Sequence, residues 1–368
     1  MATPSLPASL QSSVDATKVE YVQLGKSGLR VSSPIFGTMY IGSKDWQGLC
    51  IEEEEGLKLL KAAWDRGLTT WDTANVYSSG VNEEIIGKAL KKFEIPRHKV
   101  TILAKLYGTV PEEPGIFSWM YEAQMQQSRD YVNKGGLSRG AIFKAVEASL
   151  ARLGTSYIDL LQIHRYDPTV SPEETMTALH DLVKSGKVHY IGASSMWTYQ
   201  FARLQHVAAM HKLTPFISMQ NTYNLCYREE EREMNKFCNE SGVGLIPWSP
   251  LYGGLLAKPL GVETERSKLN KAMAGRMGGG VTDADQEIVK RVEEVAVKRG
   301  CKMVQVALAW LRGKGCVPIV GLNSGNVGRM EEACAIRGLQ LSEEEMKYLE
   351  EPYVPKPEEE EEEEEGEE

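Results

Sequence analysis

One apolar run after another in this chain ends in a polar residue, and the runs alternate with stretches of helical period. Thr69–Trp71 ends in Asp72, Val100–Ala104 in Lys105 and Ile158–Ile163 in His164. Tyr190–Ala193 ends in Ser194, Phe216–Met219 in Gln220 and Gly244–Pro247 in Trp248. Short apolar strands that alternate with helices imply parallel pairing, with both sheet faces covered. In such sheets ligands collect at the carboxyl ends of the strands. Asp, Lys, His and Gln at one edge of a core serve no packing purpose; a reaction centre has a use for them.

The elements follow from the same pattern. A hairpin is expected over Tyr21–Val31, turning through Gly25–Gly28. Strand Ser33–Gly37 and helix Glu52–Arg66 come next, the helix closed by Gly67. Strand Leu68–Asp72 leads to helix Glu83–Lys92, with Asn82 as its N-cap, and strand Val100–Lys105 to helix Ala141–Leu153. Strand Tyr157–His164 precedes helix Pro172–Ser185, strand His189–Ser194 helix Tyr199–His211, and strand Phe216–Gln220 helix Glu229–Glu240. Strand Val243–Trp248 is followed by helices Asp283–Arg299 and Met303–Arg312. Strand Val317–Gly321 and helix Gly328–Ile336 complete the series, and helix Glu343–Leu349 trails it.

Strand–helix units in that number predict an α/β chain closed into a (β/α)8 TIM barrel with an N-terminal hairpin. The rival is an open Rossmann sheet, whose G-x-G-x-x-G is missing after the first strand; Gly37-Thr38-Met39-Tyr40 stands there instead. Long loops follow strands 3 and 7, far beyond the usual ~2–6 residues. Leu106–Arg139 is rich in aromatics and Leu251–Thr282 in Gly, Lys and Arg. We expect a substrate wall from the first and a cofactor cover from the second, with plain surface insertions as the alternative.

Charge narrows the class. The net charge is -9, but Glu358–Glu365, Glu367 and Glu368 supply all of it, so the body is nearly neutral. A nucleic-acid partner is not expected of such a body. Domain boundaries are placed as a disordered segment over 1–17, the barrel over 18–354 and a disordered acidic tail over 355–368, with protein docking as the tail's alternative use. Cys50, Cys226, Cys238, Cys301, Cys316 and Cys334 show no metal-binding spacing, which suits reduced thiols and a cytoplasmic location. No run approaches the ~18 apolar residues of a membrane span, so no membrane partner is expected.

Asp72, Tyr77, Lys105 and His164 form the candidate catalytic set. A free tyrosine, with a pKa of ~10, is a poor acid at neutral pH. An ammonium nearby stabilises the phenolate and is expected to lower that value. A carboxylate paired with the lysine keeps it charged, and a histidine can orient a carbonyl oxygen. The set therefore suits protonation of a carbonyl oxygen while the carbon is attacked. Taken singly, each residue has a plainer use: Asp72 as a turn cap, Lys105 snorkelling at a sheet edge, His164 as a core histidine. A metal-dependent hydrolase is disfavoured, because the strand ends offer one His and one Asp but no second His, and no metal is expected.

Trp71-Asp72-Thr73-Ala74-Asn75-Val76-Tyr77, followed by Asn82 to Leu90, closely resembles the signature of the aldo-keto reductases. So do Leu160–His164, Ile191–Ser194 and Trp248–Leu255; the resemblance runs from about Tyr21 to Tyr353, most like the fungal aryl-alcohol-dehydrogenase and versiconal-hemiacetal-acetate-reductase branch. It implies a TIM barrel that binds NADPH and reduces an aldehyde or ketone, here an aromatic or polyketide-derived one. Tyr77 would be the general acid, Lys105 and Asp72 its tuning pair, and His164 the carbonyl-orienting residue. Ser194 and Gln220 would bond the nicotinamide carboxamide, with Trp248 stacked on the ring and Gly37, Thr38 and Met39 approaching it. Ser249, Leu251 and Gly253 would line the pyrophosphate. After the eighth strand, Gly321, Asn323, Ser324 and Arg329 match the 2′-phosphate segment, with Glu332 at the adenine. Ala333 stands where Asn is common in the family, Ser195 replaces a frequent Asn and Ser78 a frequent Gly. Tyr40, Trp46 and Trp119 are candidates for an aromatic substrate pocket. The second reading is a nicotinamide-binding regulatory subunit acting through a protein partner. Oligomeric state is left open.

Overall fold

Eight parallel strands lie side by side and curl until the first and last meet. The computed structural model describes residues 6–262 and 280–356. Helix α1 (Ala8–Ala16) leads, with every side chain exposed, so part of the segment expected to be disordered is helical here. Antiparallel strands β1 (Glu20–Gln23) and β2 (Arg30–Ser33) form the hairpin. The barrel then runs β3 (Ile35–Gly37), α2 (Glu53–Asp65), β4 (Thr70–Asp72), α3 (Val81–Lys92), β5 (Thr101–Leu106) and a short α4 (Glu122–Gln126) inside the first long loop. It continues α5 (Arg139–Leu153), β6 (Ile158–Ile163), α6 (Pro172–Lys184), β7 (Val188–Ser194), α7 (Thr198–Met210), β8 (Ser218–Gln220), α8 (Met234–Ser241) and β9 (Gly244–Leu245). After the second long loop come α9 (Asp283–Arg299), α10 (Met303–Gly313), β10 (Ile319–Gly321), α11 (Val327–Cys334) and α12 (Glu343–Glu350).

Neighbouring strands follow chain order from β3 to β9, and β10 pairs with β3. The seam between β9 and β10 is bridged where Val317 N donates to Leu245 O at 2.9 Å and Ile319 N to Pro247 O at 3.0 Å. The sheet is thus the expected barrel. Its lower interior is filled by Ile35, Leu103, Leu160, Ile246, Val317 and Ile319, and Leu24 and Val31 of the hairpin plug that end. The register pairs Leu103 with Leu160 and, two residues on, Lys105 with Gln162. Because inward positions recur every second residue, apolar packing below gives way to polar groups at the carboxyl ends.

Several boundaries differ from the sequence reading. Asn82 does not cap α3; the helix starts at Val81 after Gly80, whose φ of 96° is the left-handed geometry glycine favours. The Asn82 side chain is buried instead and donates to Thr38 O at 2.7 Å and Ile41 O at 2.6 Å, holding the loop after β3. α5 begins at Arg139, two residues earlier than expected, because Ser138 caps it by accepting from Ala141 N. Residues Glu229–Glu231 form a 3-10 turn and the α-helix proper starts at Met234. In the second long loop Tyr252–Ala257 is 3-10, and residues 263–279 of the expected cofactor cover lie outside the described residues. The acidic run from Glu358 onward does too.

Candidate active site

Asp72 and Lys105 arrive at the barrel mouth as the last inward residues of β4 and β5. Lys105 Nζ lies 2.5 Å from Asp72 Oδ1 and 3.3 Å from the Tyr77 hydroxyl, and donates to Thr73 O at 3.1 Å. Tyr77 returns over the mouth because the chain turns sharply just after it: Ser78 and Ser79 both have left-handed φ, 49° and 52°. Such a conformation costs a non-glycine residue about 1–2 kcal/mol. Ser78 is held in it by accepting from Ser43 N at 3.1 Å, and its hydroxyl fills the space a Cβ on Gly42 would need. The imidazole of His164, just past β6, meets the Tyr77 ring edge-on with centroids 6.1 Å apart. The four sequence candidates therefore converge.

Their electrostatics divide the labour. Burial opposes a charged Lys105, yet Asp72 and Tyr77 outweigh it and hold the ammonium above its ordinary pKa. Burial keeps the Tyr77 phenol above its own ordinary value, although Lys105 pulls against it. The expectation of a net lowering is therefore corrected for the free protein: desolvation wins. Burial, then the positive charges of Lys105 and Arg165, drive His164 well below the usual imidazole range, so it is neutral at neutral pH. A protonated phenol beside a fixed ammonium and a neutral imidazole can donate a proton to an incoming oxygen.

An aromatic wall stands over these groups. Trp46 packs on Phe117 at 5.3 Å between centroids, Phe117 on Trp119 at 5.2 Å, and Trp119 on His164 at 6.1 Å. Trp46 also meets Tyr77, at 6.3 Å. Phe117 and Trp119 of the first long loop and Trp46 of the loop after β3 thus form one aromatic cluster over the mouth. Phe117 was legible only as one more aromatic in a long loop. Tyr40 lies elsewhere, over Gly321 at the β3–β10 seam.

The nicotinamide candidates surround the other half of the mouth. Ser194 Oγ donates to Gln220 O at 2.7 Å, and Gln220 Nε2 donates to Asp72 Oδ2 at 3.0 Å. Trp248 is half-buried above β9 and its backbone N–H donates to Asn221 O at 3.0 Å. Thr38 uses its hydroxyl on Asp72 O, at 2.8 Å, and Met39 packs on the apolar cluster around Tyr77. Gly37 has a packing reason of its own, since a Cβ there would stand 2.9 Å from Ile319 Cγ2. Ser249 and Gly253 turn through left-handed φ, while Leu251 packs on the core. Beyond β10, the exposed Arg329 donates to Asn323 Oδ1 at 3.1 Å, and Glu332 is half-buried on α11.

Two buried polar atoms here find no hydrogen-bond partner among the described residues: Asn221 Nδ2 beside Gln220, and Ser324 Oγ beside Asn323. Buried groups of this kind are normally satisfied. Their positions, at the ends of β8 and β10, fit a polar ligand spanning those strand ends. Sequence reasoning missed Asn221, Gln162 and Phe117. Gln162 was detectable, being the polar residue one inward position below His164 and one above the apolar Leu160.

Comparison with known proteins identifies the family to which this barrel and its Lys–Asp–Tyr–His mouth belong. Residues 35–353 match the Aldo/keto reductase family, and the chain belongs to it. It is 54% identical over 359 residues to the aldo-keto reductase dtxS3 of Metarhizium robertsii, covering 95% of each chain. It is 49% identical to the versiconal hemiacetal acetate reductase of Aspergillus parasiticus, covering 92% of this chain and 98% of that one. A putative aryl-alcohol dehydrogenase of Schizosaccharomyces pombe is 50% identical, with 92% and 96% covered. The chain is an oxidoreductase of this family, in its fungal branch. Among the described residues no helix is long and apolar enough to cross a membrane.

Proposed function

We propose that this enzyme uses NADPH to reduce an aldehyde or ketone, aromatic or polyketide-derived, to the alcohol, with Tyr77 as the general acid. The observation that carries the reading is the Lys105 ammonium, 2.5 Å from Asp72 and 3.3 Å from the Tyr77 hydroxyl, beneath an aromatic wall. When bound, the dihydronicotinamide supplies the hydride that attacks the carbonyl carbon. Tyr77 gives its proton to the carbonyl oxygen as negative charge develops there. Lys105 then stabilises the phenolate left behind, and Asp72 keeps Lys105 charged and in place. The neutral His164 ring orients the carbonyl oxygen beside the Tyr77 hydroxyl. Trp46, Phe117 and Trp119 exclude water and favour a flat, apolar substrate, as the names of the relatives suggest.

With the cofactor bound, Ser194 and Gln220 would hold the carboxamide and Trp248 would stack on the ring. Main-chain groups of Gly37, Thr38 and Met39 would approach it, Ser249, Leu251 and Gly253 would line the pyrophosphate, and Gly321, Asn323 and Ser324 would border the 2′-phosphate. Arg329 would supply that phosphate's donor, and Glu332 the adenine contact. Screening NADPH oxidation against aryl, aliphatic and polyketide carbonyls tests the reading; turnover is expected with at least the aryl aldehydes. A panel without turnover, together with a stable stoichiometric protein partner, would contradict it. Arg329→Ala is expected to weaken NADPH binding by roughly tenfold and leave NADH binding nearly unchanged. Equal losses in a titration with both nucleotides would move the phosphate site elsewhere.

A further inference from the structure

Asp72 offers its two oxygens to different partners. Oδ1 faces Lys105, whereas Oδ2 accepts from Gln220 Nε2 at 3.0 Å and from Gln162 Nε2 at 3.3 Å. Gln220 Nε2 also donates to Gln162 Oε1, at 2.9 Å. An ionised carboxylate only accepts, so it dictates which end of each amide turns toward it. Both hydrogens of the Gln220 amide nitrogen are consequently engaged inside the barrel, one by Asp72 and one by Gln162. The side chain then presents its oxygen, an acceptor, to anything bound above it.

Gln162 itself is wholly buried, opposite Lys105 across the β5–β6 register. Two residues earlier on the same strand, Leu160 fills the corresponding inward position with an apolar side chain. Room for Gln162 comes from β7, where a Cβ on Gly192 would stand 3.2 Å from Gln162 Cγ and 2.2 Å from Ser218 Oγ. A buried amide is costly unless it is bonded, and this one is bonded at both ends to residues that face the mouth. Its chemistry is therefore directed at its neighbours.

We propose that Gln162 is a positioning residue: it locks Gln220 with its oxygen outward, so that the nicotinamide pocket selects a ring substituent carrying an N–H. This rests on reading the site as a nicotinamide pocket. If Gln162 is replaced by an apolar residue, the Gln220 amide keeps only its bond to Asp72. It then pivots about that bond and turns its released N–H outward. A carboxamide loses its acceptor, while a plain carbonyl substituent gains a donor.

The test is binding to the full chain, read by quenching of tryptophan fluorescence. NADP+ is compared with its 3-acetylpyridine analogue, whose ring bears a ketone in place of the carboxamide. The wild type is expected to bind NADP+ about tenfold more tightly than the analogue, the scale of one net hydrogen bond. Gln162→Leu and Gln162→Met are expected to bring the two affinities within about twofold to threefold of each other. Gln162→Glu retains an oxygen toward Gln220 and, protonated on its other oxygen beside the Asp72 carboxylate, still donates there; it is expected to keep the preference even if the apolar variants fold poorly. The proposal is overturned if folded apolar variants keep the wild-type ratio, or if the wild type binds both nucleotides alike. A wild type that binds neither would overturn the nicotinamide reading itself.

Discussion

At the scale of single residues, burial sets the protonation states and neighbouring charges correct them. Tyr77 illustrates the competition: sequence reasoning weighed the ammonium and expected a lower pKa, but complete burial outweighs Lys105 and the phenol keeps its proton. That outcome suits a general acid, which has to carry the proton it gives. His164 behaves oppositely, its ring held neutral well below the ordinary value of 6.5. In the unfolded chain the imidazole regains that ordinary value, so between the two pKa values the unfolded state binds more protons. Stability from this residue is full above pH 6.5 and falls as pH drops toward the folded value. Replacing it with a side chain that does not titrate removes the dependence. His164→Asn is therefore expected to flatten the decline of melting temperature between pH 6.5 and about pH 5. A slope identical to the parent's in that window would show that His164 is not the group responsible.

At the scale of elements, the barrel strands were legible because each is a short apolar run, five of them closed by a polar residue: Asp72, Lys105, His164, Ser194 and Gln220. Helix starts were less so. Ser138 lies just before the apolar period begins, and the two residues it adds to α5 carry no apolar signal of their own. Asn82 looked like a cap, and its type and place before Glu83 and Glu84 fit one. Only the fold reveals that it faces inward, where its Oδ1 accepts from the Thr73 hydroxyl and lies 3.0 Å from that of Thr38. Together with its donations to Thr38 O and Ile41 O, it ties the β3 and β4 loops to α3. Asn82→Ala would leave Ile41 O without its donor and Thr38 O with Ile41 N alone, a loss of about 2 kcal/mol. Urea denaturation should show that loss as a lower midpoint with little change in slope. A midpoint within error of the parent's would mean that the loop is held by something else.

At the scale of the whole molecule, the two ends of the chain brace the barrel. The hairpin plugs the bottom, and the segment after α12 straps the side that carries the second long loop. Tyr353 donates to Glu229 at 2.5 Å, and Lys356 N donates to the same carboxylate at 2.8 Å. Lys356 Nζ lies 2.8 Å from both oxygens of the buried Asp285 and 3.1 Å from the Tyr252 hydroxyl, at opposite ends of that loop. Lys356 was expected to belong to the tail, since nothing in its local sequence announces a distant buried carboxylate. Removal of residues 357–368 is expected to change stability by less than about 0.5 kcal/mol. Removal of 353–368 takes the counter-charge from Asp285 and is expected to cost about 2–5 kcal/mol. Thermal melts of the two truncations should separate accordingly, and coincident melts would refute the strap. The candidate site was the most legible part, because Asp72, Lys105 and His164 lie at strand ends; the Gln162 contacts beneath it depend on side-chain packing between strands.

Proton donation by Tyr77 at the mouth of this barrel is open to test by single-turnover kinetics. Wild type and Tyr77→Phe, each saturated with NADPH, are mixed with an aryl aldehyde that the parent reduces well, and loss of the nicotinamide absorbance is followed. The variant is expected to be about 10²–10⁴-fold slower, with NADPH affinity nearly unchanged. A variant that oxidises NADPH at the parental rate would contradict it.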